Sequence, residues 1–279
     1  MVHFGDIPKQ YAKLKESEIV ILPIPYDGTS TWIKGADKGP EAILEASANM
    51  ELYDIETDSE VYQQGIFTAP PVTENSSPEK MVEAAYQAAK KYVDADKFLI
   101  SLGGEHSVSY GPIRAYAEKY PDLTVLQLDA HTDLRNEYLG SKFNHACVMA
   151  RTQELCPVVQ VGIRSMDVEE KERVVPTKIF WAHEIHKSND WMERAVGQLS
   201  ENVYLTIDLD VFDPSIMPST GTPEPGGMLW YKVLDFMRLV LMRTNIVGMD
   251  KVELCPNPDN KAPDFLAAKL LYKILSYKY

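Results

Sequence analysis

The chain has few cysteines, no long apolar run and a shortage of basic residues. Its 3 cysteines among 279 residues are odd in number and irregularly spaced, at Cys147, Cys156 and Cys255, which predicts reduced thiols in a cytoplasmic protein. No apolar run approaches the roughly 20 residues that a membrane-spanning helix needs. The N-terminal sequence also lacks the basic-then-apolar pattern of a signal peptide. We therefore expect a cytoplasmic protein with no membrane partner.

Acidic residues outnumber basic ones, 41 against 28, which gives a formal net charge of −13. This balance disfavours nucleic acid and anionic membranes as partners, and it favours encounter with a cationic substrate. The chain carries no internal repeat and no low-complexity tract. Its length and its 45% hydrophobic content suit one domain over residues 1–279 with a sizeable core.

Short apolar runs alternate with helical patterns along the chain. The predicted strands are 19–24, 98–102, 123–128, 158–163, 203–207 and 246–252. The predicted helices are 40–53, 78–92, 111–120, 191–199, 230–243 and 264–277, and the Pro-, Thr- and Ser-rich stretch 68–77 is predicted to be a loop. This alternation predicts an α/β protein in which a mainly parallel sheet is covered by helices on both faces.

Acidic residues and histidines directly follow three of these strands. The three segments are Gly103-Gly104-Glu105-His106, Asp129-Ala130-His131-Thr132-Asp133 and Asp208-Leu209-Asp210. Strand C-termini converge on the ligand crevice of a parallel sheet, and side chains two apart on an extended segment point the same way. We therefore expect four carboxylates and two imidazoles at one place, an arrangement that needs cations among them. The sequence predicts a two-metal site.

An alternative for each single segment is helix capping, because aspartate is a common N-cap residue after a strand. Capping does not account for three such segments in series. The oxygen and imidazole ligands suit Mn, Fe, Co or Zn, and the lack of cysteine ligands argues against a structural zinc site.

The same three segments resemble the metal-binding motifs of the ureohydrolases, the arginase and agmatinase family. The resemblance extends from about Ile19 to the C-terminus, and its further motifs are Pro25-Tyr26-Asp27-Gly28-Thr29, Gly39-Pro40-Glu41-Ala42-Ile43 and Thr220-Gly221-Thr222-Pro223-Glu224-Pro225-Gly226-Gly227. It implies an arginase-like three-layer αβα fold and a homo-oligomer, either a trimer or a hexamer.

The resemblance also implies the ligands and the metal. One ion would be held by His106, Asp129, Asp133 and Asp208, and the other by Asp129, His131, Asp208 and Asp210. Asp129 and Asp208 would bridge the two ions. The family implies two Mn2+ per chain, whereas the ligand types alone leave iron, cobalt and zinc open.

The implied reaction is hydrolysis of a guanidino group to urea and an amine. Metal binding lowers the pKa of water from about 15.7 towards roughly 7, which supplies a nucleophile. In the family pattern Asp133 relays a proton to the departing amine, and His145 matches a histidine that shuttles protons or orders the substrate. The alternative for His145 is a solvent-exposed residue at a helix start. Glu253 matches the glutamate that binds the guanidinium through paired N–H bonds, although the preceding Lys251 departs from the family pattern.

The segment 134–140, Leu-Arg-Asn-Glu-Tyr-Leu-Gly, resembles the agmatinase branch of the family. We therefore expect agmatine to be converted to putrescine and urea, as in polyamine biosynthesis. Guanidinobutyrate or arginine as substrate, and a non-catalytic family member, remain alternatives. Outside the family, the alternatives are a two-metal phosphatase, a one-metal zinc deacetylase and a scaffold protein. Two transition metals per chain would favour the ureohydrolase or the phosphatase, one would favour the deacetylase and none the scaffold.

Three other conspicuous residues, His183, His186 and Glu224, are not among the implied metal ligands. His183 and His186 are spaced like a short metal motif, but they are interpreted as part of a surface loop or a helix start. Glu224 either caps its own loop or reaches the site.

Overall fold

The computed structural model describes residues 2–279, which form one sheet of eight parallel strands with helices on both faces. The strands are β1 (Ile19–Ile24), β2 (Ile66–Thr68), β3 (Phe98–Gly103), β4 (Thr124–Leu128), β5 (Val158–Ile163), β6 (Ile179–Trp181), β7 (Asn202–Asp208) and β8 (Asn245–Val252). Their order across the sheet is β2-β1-β3-β8-β7-β4-β5-β6, and every pairing is parallel.

The α-helices are α1 (Gly39–Ser47), α2 (Pro78–Val93), α3 (Tyr110–Lys119), α4 (Val148–Thr152), α5 (Ala182–Ile185), α6 (Trp191–Val196), α7 (Trp230–Arg243) and α8 (Ala262–Lys278). Side chains of α1, α5, α6, α7 and α8 pack into the hydrophobic core on one face of the sheet. Those of α2, α3 and α4 pack into the core on the other face. The predicted three-layer α/β fold is therefore confirmed.

The central strands are buried on both faces, which explains why they appear in the sequence as continuous apolar runs. In β1, for example, Ile19 and Ile21 contribute to one core and Val20 and Leu22 to the other. The side chains alternate between the faces as a pleated strand requires.

Several boundaries differ from the sequence prediction. The strands β2 and β6 were not predicted; each has only three residues and lies at an edge of the sheet. Thr68, assigned to a loop, is the last residue of β2. The predicted helix 40–53 ends at Ser47, and the Asn49 amide there donates to the carbonyl of Glu45, one of the last of the helix.

The topology brings four strand ends together in the middle of the sheet. Strands β1 to β3 form one half of the sheet and β4 to β6 form the other half. The last two strands, β7 and β8, lie between these halves. The carboxyl ends of β3, β8, β7 and β4 are thus neighbours, and this is where a parallel sheet binds ligands. Among residues 2–279 no helix has the length and apolar character to cross a membrane.

Candidate metal centre and active site

The segments predicted to carry metal ligands meet at these four strand ends. His106 begins a short 3-10 turn after β3, Asp129 follows β4, Asp208 ends β7 and Glu253 follows β8. All four side chains are buried. The predicted convergence is therefore present in the structure.

Three carboxylates surround one ring nitrogen of His106. Its Nδ1 lies 3.0 Å from Oδ2 of Asp133, 3.1 Å from Oδ2 of Asp129 and 3.4 Å from Oδ2 of Asp208. His106, Asp129 and Asp208 each offer a ligand atom within 4.8 Å of the other two, so together they could hold a cation. Asp133 lies outside this group of three, although it contacts His106.

A second such group is formed by Asp129, His131 and Asp210. His131 Nδ1 lies 2.9 Å from Oδ2 of Asp210 and 3.7 Å from Oδ1 of Asp129. Asp129 thus belongs to both groups and directs Oδ2 to one and Oδ1 to the other. A side chain shared in this way could bridge two cations.

Turns, rather than the predicted extended alternation, bring these carboxylates together. Asp133 adopts a left-handed backbone with φ of 53°, and Met149 and Ala150 donate backbone N–H bonds to its carbonyl. Asp210 lies in the 3-10 turn Leu209–Val211, where its N–H donates to Oδ1 of Asp208. The prediction of convergence was right, but the assumed local geometry was wrong.

A hydrogen-bond chain behind His106 indicates which ring nitrogen carries the proton. The Thr206 hydroxyl donates to Oδ1 of Asp250 at 2.7 Å, so it accepts a bond from His106 Nε2 at 2.9 Å. Nδ1 is then the ring nitrogen that faces the three carboxylates, and it is a buried atom without a hydrogen-bond partner. A cation at this position would satisfy the nitrogen and the carboxylates together, so the residues present fit a metal site.

The pKa shifts show an excess of negative charge at the centre. Burial together with the charges of Asp210 and Asp129 raises the pKa of Asp208 well above its usual value. Burial lowers the pKa of His106, but its carboxylate neighbours outweigh burial and raise it well above the ordinary value. Carboxylates this close together need protons or cations to balance them.

Polar residues inside the strands orient the candidate ligands, and this role was not predicted from the sequence. The Gln127 amide donates to Oδ2 of Asp129 at 2.6 Å and is itself held by Gln160, whose amide donates to Gln127 Oε1 at 2.6 Å. Gln127, Gln160, Thr206 and Asp250 are all buried. The signal that could have found them is a polar residue within an otherwise apolar strand, since such a residue needs a buried partner.

Glu253 reaches the same cavity from the end of β8. Its backbone has φ of 66°, and its N–H donates to the Gly104 carbonyl. Oε1 accepts a hydrogen bond from the backbone N–H of His106 at 2.8 Å. Oε2 faces Gly221, and a Cβ atom added to that glycine would lie 3.6 Å from Oε2. The unusual Lys251 does not disturb this position, because its side chain is buried and donates to the carbonyl of Ala267 in α8.

His145 lies at the start of the 3-10 turn His145–Cys147 and lines the cavity rather than facing open solvent. Burial and the charges of His131 and His106 lower the pKa of His145 to about 4. The preceding Asn144 accepts the N–H of Ala146 through Oδ1, which caps the turn.

The cavity above the candidate metal centre has a volume of about 270 Å³. Besides the residues already described, its lining includes the charged side chains of Arg135, Asp167 and Glu170. Trp32 and Met166 add apolar surface at its rim and are exposed. Thr132 donates to Glu170, and burial followed by the charge of Asp133 raises the pKa of Glu170 to about 7.

Glu224, His183 and His186 differ in their distance from the candidate metal centre. Oε1 of Glu224 lies 3.9 Å from Nε2 of His131, so this residue reaches the edge of the site. Arg164 binds the carbonyls of Glu224 and Asp210 and so links the two loops. In the described chain, His183 and His186 belong to neither of the two candidate metal-binding groups. His183 stacks on Trp181, and His186 contacts the Gly226 carbonyl.

The fold and the site define an α/β protein with a candidate two-cation centre at the carboxyl end of a parallel sheet. The model of the arginase family matches residues 17–276, and the chain belongs to that family. The family is binuclear and metal-dependent, and the chain is a hydrolase of C–N bonds in linear amidines.

Two relatives and two solved structures illustrate the similarity. An N(1)-aminopropylagmatine ureohydrolase from Synechocystis sp. is 38% identical, covering 98% of this chain and 95% of the relative. An agmatinase from Pyrococcus horikoshii is 34% identical, with 94% and 92% covered. The agmatine ureohydrolase of Thermoplasma volcanium superposes with a TM-score of 0.89 at 30% identity, covering 100% of this chain and 94% of that one. The arginase of Bacillus subtilis has a TM-score of 0.80 at 27% identity, with 92% and 98% covered.

Proposed function

We propose that the chain is a binuclear manganese ureohydrolase that cleaves the guanidino group of agmatine to give urea and putrescine. The observation that carries the choice of agmatine is the charge of the outer cavity. Among the lining residues within the described range 2–279, Arg135 is the single lysine or arginine. Its guanidinium lies 2.9 Å from Asp167, 2.6 Å from Glu169 and 3.4 Å from Glu170.

Because Arg135 is already paired with three carboxylates, the described residues that line the cavity offer no free lysine or arginine to a substrate carboxylate. Arginine and 4-guanidinobutyrate both carry a carboxylate at the end remote from the guanidinium. Agmatine carries an ammonium there, and the surplus of acidic groups beside Arg135 suits a positive charge. The negative outer cavity therefore favours an amine-terminated substrate.

Each predicted site residue has a proposed role. His106, Asp129, Asp133 and Asp208 would hold one cation, and Asp129, His131, Asp208 and Asp210 the other. Two bound divalent cations would make water a competent nucleophile at neutral pH by lowering its pKa. We assign manganese from the family resemblance, because oxygen and imidazole ligands also suit other divalent metals.

Glu253 would orient the substrate. Its Oε1 is fixed by the backbone N–H of His106, and a carboxylate fixed in this way can accept N–H bonds from a planar guanidinium. From the family resemblance, Asp133 would pass a proton to the departing amine, and its Oδ2 lies at the centre, 3.0 Å from Nδ1 of His106. His145 would accept or return protons on the cavity side, where its low pKa keeps it neutral at pH 7.

A second candidate substrate is N1-aminopropylagmatine, which is longer by one aminopropyl arm. Trp32 is 70% exposed at the mouth of the cavity, and Ile33 and Met166 are exposed beside it. Such an apolar rim could contact the methylene groups of an arm that extends beyond the cavity. Relatives from Synechocystis and Thermus thermophilus, 38% identical, carry this substrate in their names.

The test is urea release by manganese-loaded protein, with kcat/KM compared for agmatine, N1-aminopropylagmatine, arginine and 4-guanidinobutyrate. We expect release from agmatine and none above background from the two carboxylate-bearing compounds. A higher kcat/KM for N1-aminopropylagmatine would select the second candidate. Release from arginine or guanidinobutyrate at a comparable rate would contradict the charge argument.

We also propose, from the family resemblance, a cytoplasmic homo-oligomer that is a trimer or a hexamer. Light scattering of the purified protein measures the mass of the particle directly. A monomer of 31.5 kDa would contradict the proposal.

A further inference from the structure

The buried hydroxyl of Thr29 contacts His145, one of the residues that line the cavity. Thr29 belongs to the segment that follows β1, and it is 8% exposed. Its Oγ1 lies 2.9 Å from Oε1 of Glu105, 3.1 Å from Nδ1 of His145 and 2.9 Å from the backbone nitrogen of His145. One hydroxyl therefore connects a buried carboxylate with both the ring and the backbone of the histidine.

The hydrogens available to these groups restrict how the bonds can run. Glu105 is fully buried. Its Oε1 also accepts a hydrogen bond from the Ser107 hydroxyl, and its Oε2 accepts one from the Ser107 backbone N–H, both at 2.8 Å. Each of these contacts runs from an N–H or O–H donor to a Glu105 oxygen, as does the contact from the Thr29 hydroxyl. Thr29 has a single hydroxyl hydrogen, and it donates that hydrogen to Glu105.

The lone pairs of Thr29 Oγ1 are then left for His145. One accepts the His145 backbone N–H, and the other faces Nδ1. Because an acceptor faces it, Nδ1 carries the ring hydrogen. Nε2, which makes none of these contacts, then holds the lone pair of a ring that lines the cavity.

We propose that Thr29 is a positioning residue that fixes His145 in the Nδ1–H tautomer and keeps Nε2 as a hydrogen-bond acceptor. This inference rests on the proposed function, in which His145 acts on a guanidino substrate. A guanidinium presents only N–H donors, so an accepting Nε2 can bind it or take up a proton, whereas an Nε2–H would face it donor to donor. Thr29 thus acts through His145 without contacting the reacting atoms.

The first test reads the tautomer directly, by neutron crystallography of the manganese-loaded enzyme without substrate. Deuterium on Nδ1 of His145 and none on Nε2 is the expected result. Deuterium on Nε2 would overturn the proposal. Since no substrate is present, this result does not depend on whether agmatine is the correct substrate.

The second test compares Thr29→Val, which removes the hydroxyl at nearly constant volume, with Thr29→Ser, which keeps it. We expect Thr29→Val to lower kcat by about 10-fold or more, the lower range of acid–base effects, and to change the pH profile of kcat. Thr29→Ser should retain most of the wild-type activity. Thr73→Val, at an exposed loop position, serves as the matched control. Equal kcat and an unchanged pH profile in folded Thr29→Val would overturn the proposal.

Discussion

Replacing Asp129 with asparagine should remove both cations, because this side chain contributes to both halves of the centre. Oδ2 lies 3.1 Å from His106 Nδ1, and Oδ1 lies 3.7 Å from His131 Nδ1. The substitution keeps the size of the side chain, but it removes the negative charge and replaces one oxygen with an amide nitrogen. Each of the two cations would therefore lose a charged ligand.

The surrounding hydrogen bonds add to the effect. Oδ2 accepts a hydrogen bond from the side-chain amide of Gln127, and Oδ1 accepts one from the backbone N–H of His131, each at 2.6 Å. Whichever way the new amide is turned, its NH2 group faces one of these donors. An unsatisfied buried donor costs about 1–3 kcal/mol, and each lost charge-assisted contact about 1.5–3 kcal/mol. A loss of about 3 kcal/mol at each cation corresponds to more than ~100-fold in affinity.

The assay is metal content by mass spectrometry after dialysis, together with urea release and circular dichroism. We expect Asp129→Asn to retain the fold while losing both metals and nearly all turnover. Asp235→Asn, on an exposed face of α7, is the matched control and should behave like the wild type. Near-normal turnover with both metals retained in Asp129→Asn would refute the shared-ligand reasoning.

Three further predictions concern residues around the centre and one remote ion pair. Glu253→Gln should raise KM or abolish urea release while the metal content stays unchanged. Thr206→Val should weaken metal binding about 10–100-fold, as losses of ligand-orienting bonds do, measured by competition with a chelator. Lys273→Met should lower the free energy of unfolding by about 3 kcal/mol at pH 7, measured in urea, because it leaves the buried Asp54 carboxylate unpaired.

The Lys273 effect should depend on pH in a defined direction. Burial opposes ionisation of Asp54, but the bonds from Lys273 and the loop outweigh it and lower the pKa of Asp54. Its contribution is therefore complete above the unfolded pKa of about 3.9 and is lost as the pH falls through the lower folded value. An equal loss of stability in Lys273→Met at pH 7 and at pH 2 would contradict this. Metal loss in Glu253→Gln, or unchanged metal affinity in Thr206→Val, would contradict those two assignments.

The central strands and the motifs that follow them could be predicted because their signals are local. A strand buried on both faces is a continuous apolar run, and β1, β5 and α7 have the predicted bounds. The edge strands β2 and β6 could not be recognised, because three residues carry too little pattern.

The support behind the site is not local, and this is why it was missed. Gln127 and Gln160 meet because β4 and β5 pair in that register. Thr29 and His145 are 116 residues apart in the chain and meet across the cavity wall. The approach of Glu224 to His131 likewise depends on the loops that Arg164 holds together. Partners of this kind follow from the tertiary fold and not from spacing along the sequence.

Anomalous X-ray diffraction from crystals of the manganese-loaded enzyme, recorded on both sides of the manganese edge, tests the two-cation centre most directly. We expect two anomalous peaks flanking the Asp129 carboxylate, one beside His106 and the other beside His131. A single peak, or peaks away from Asp129, would contradict the two-cation centre on which the proposed hydrolysis depends.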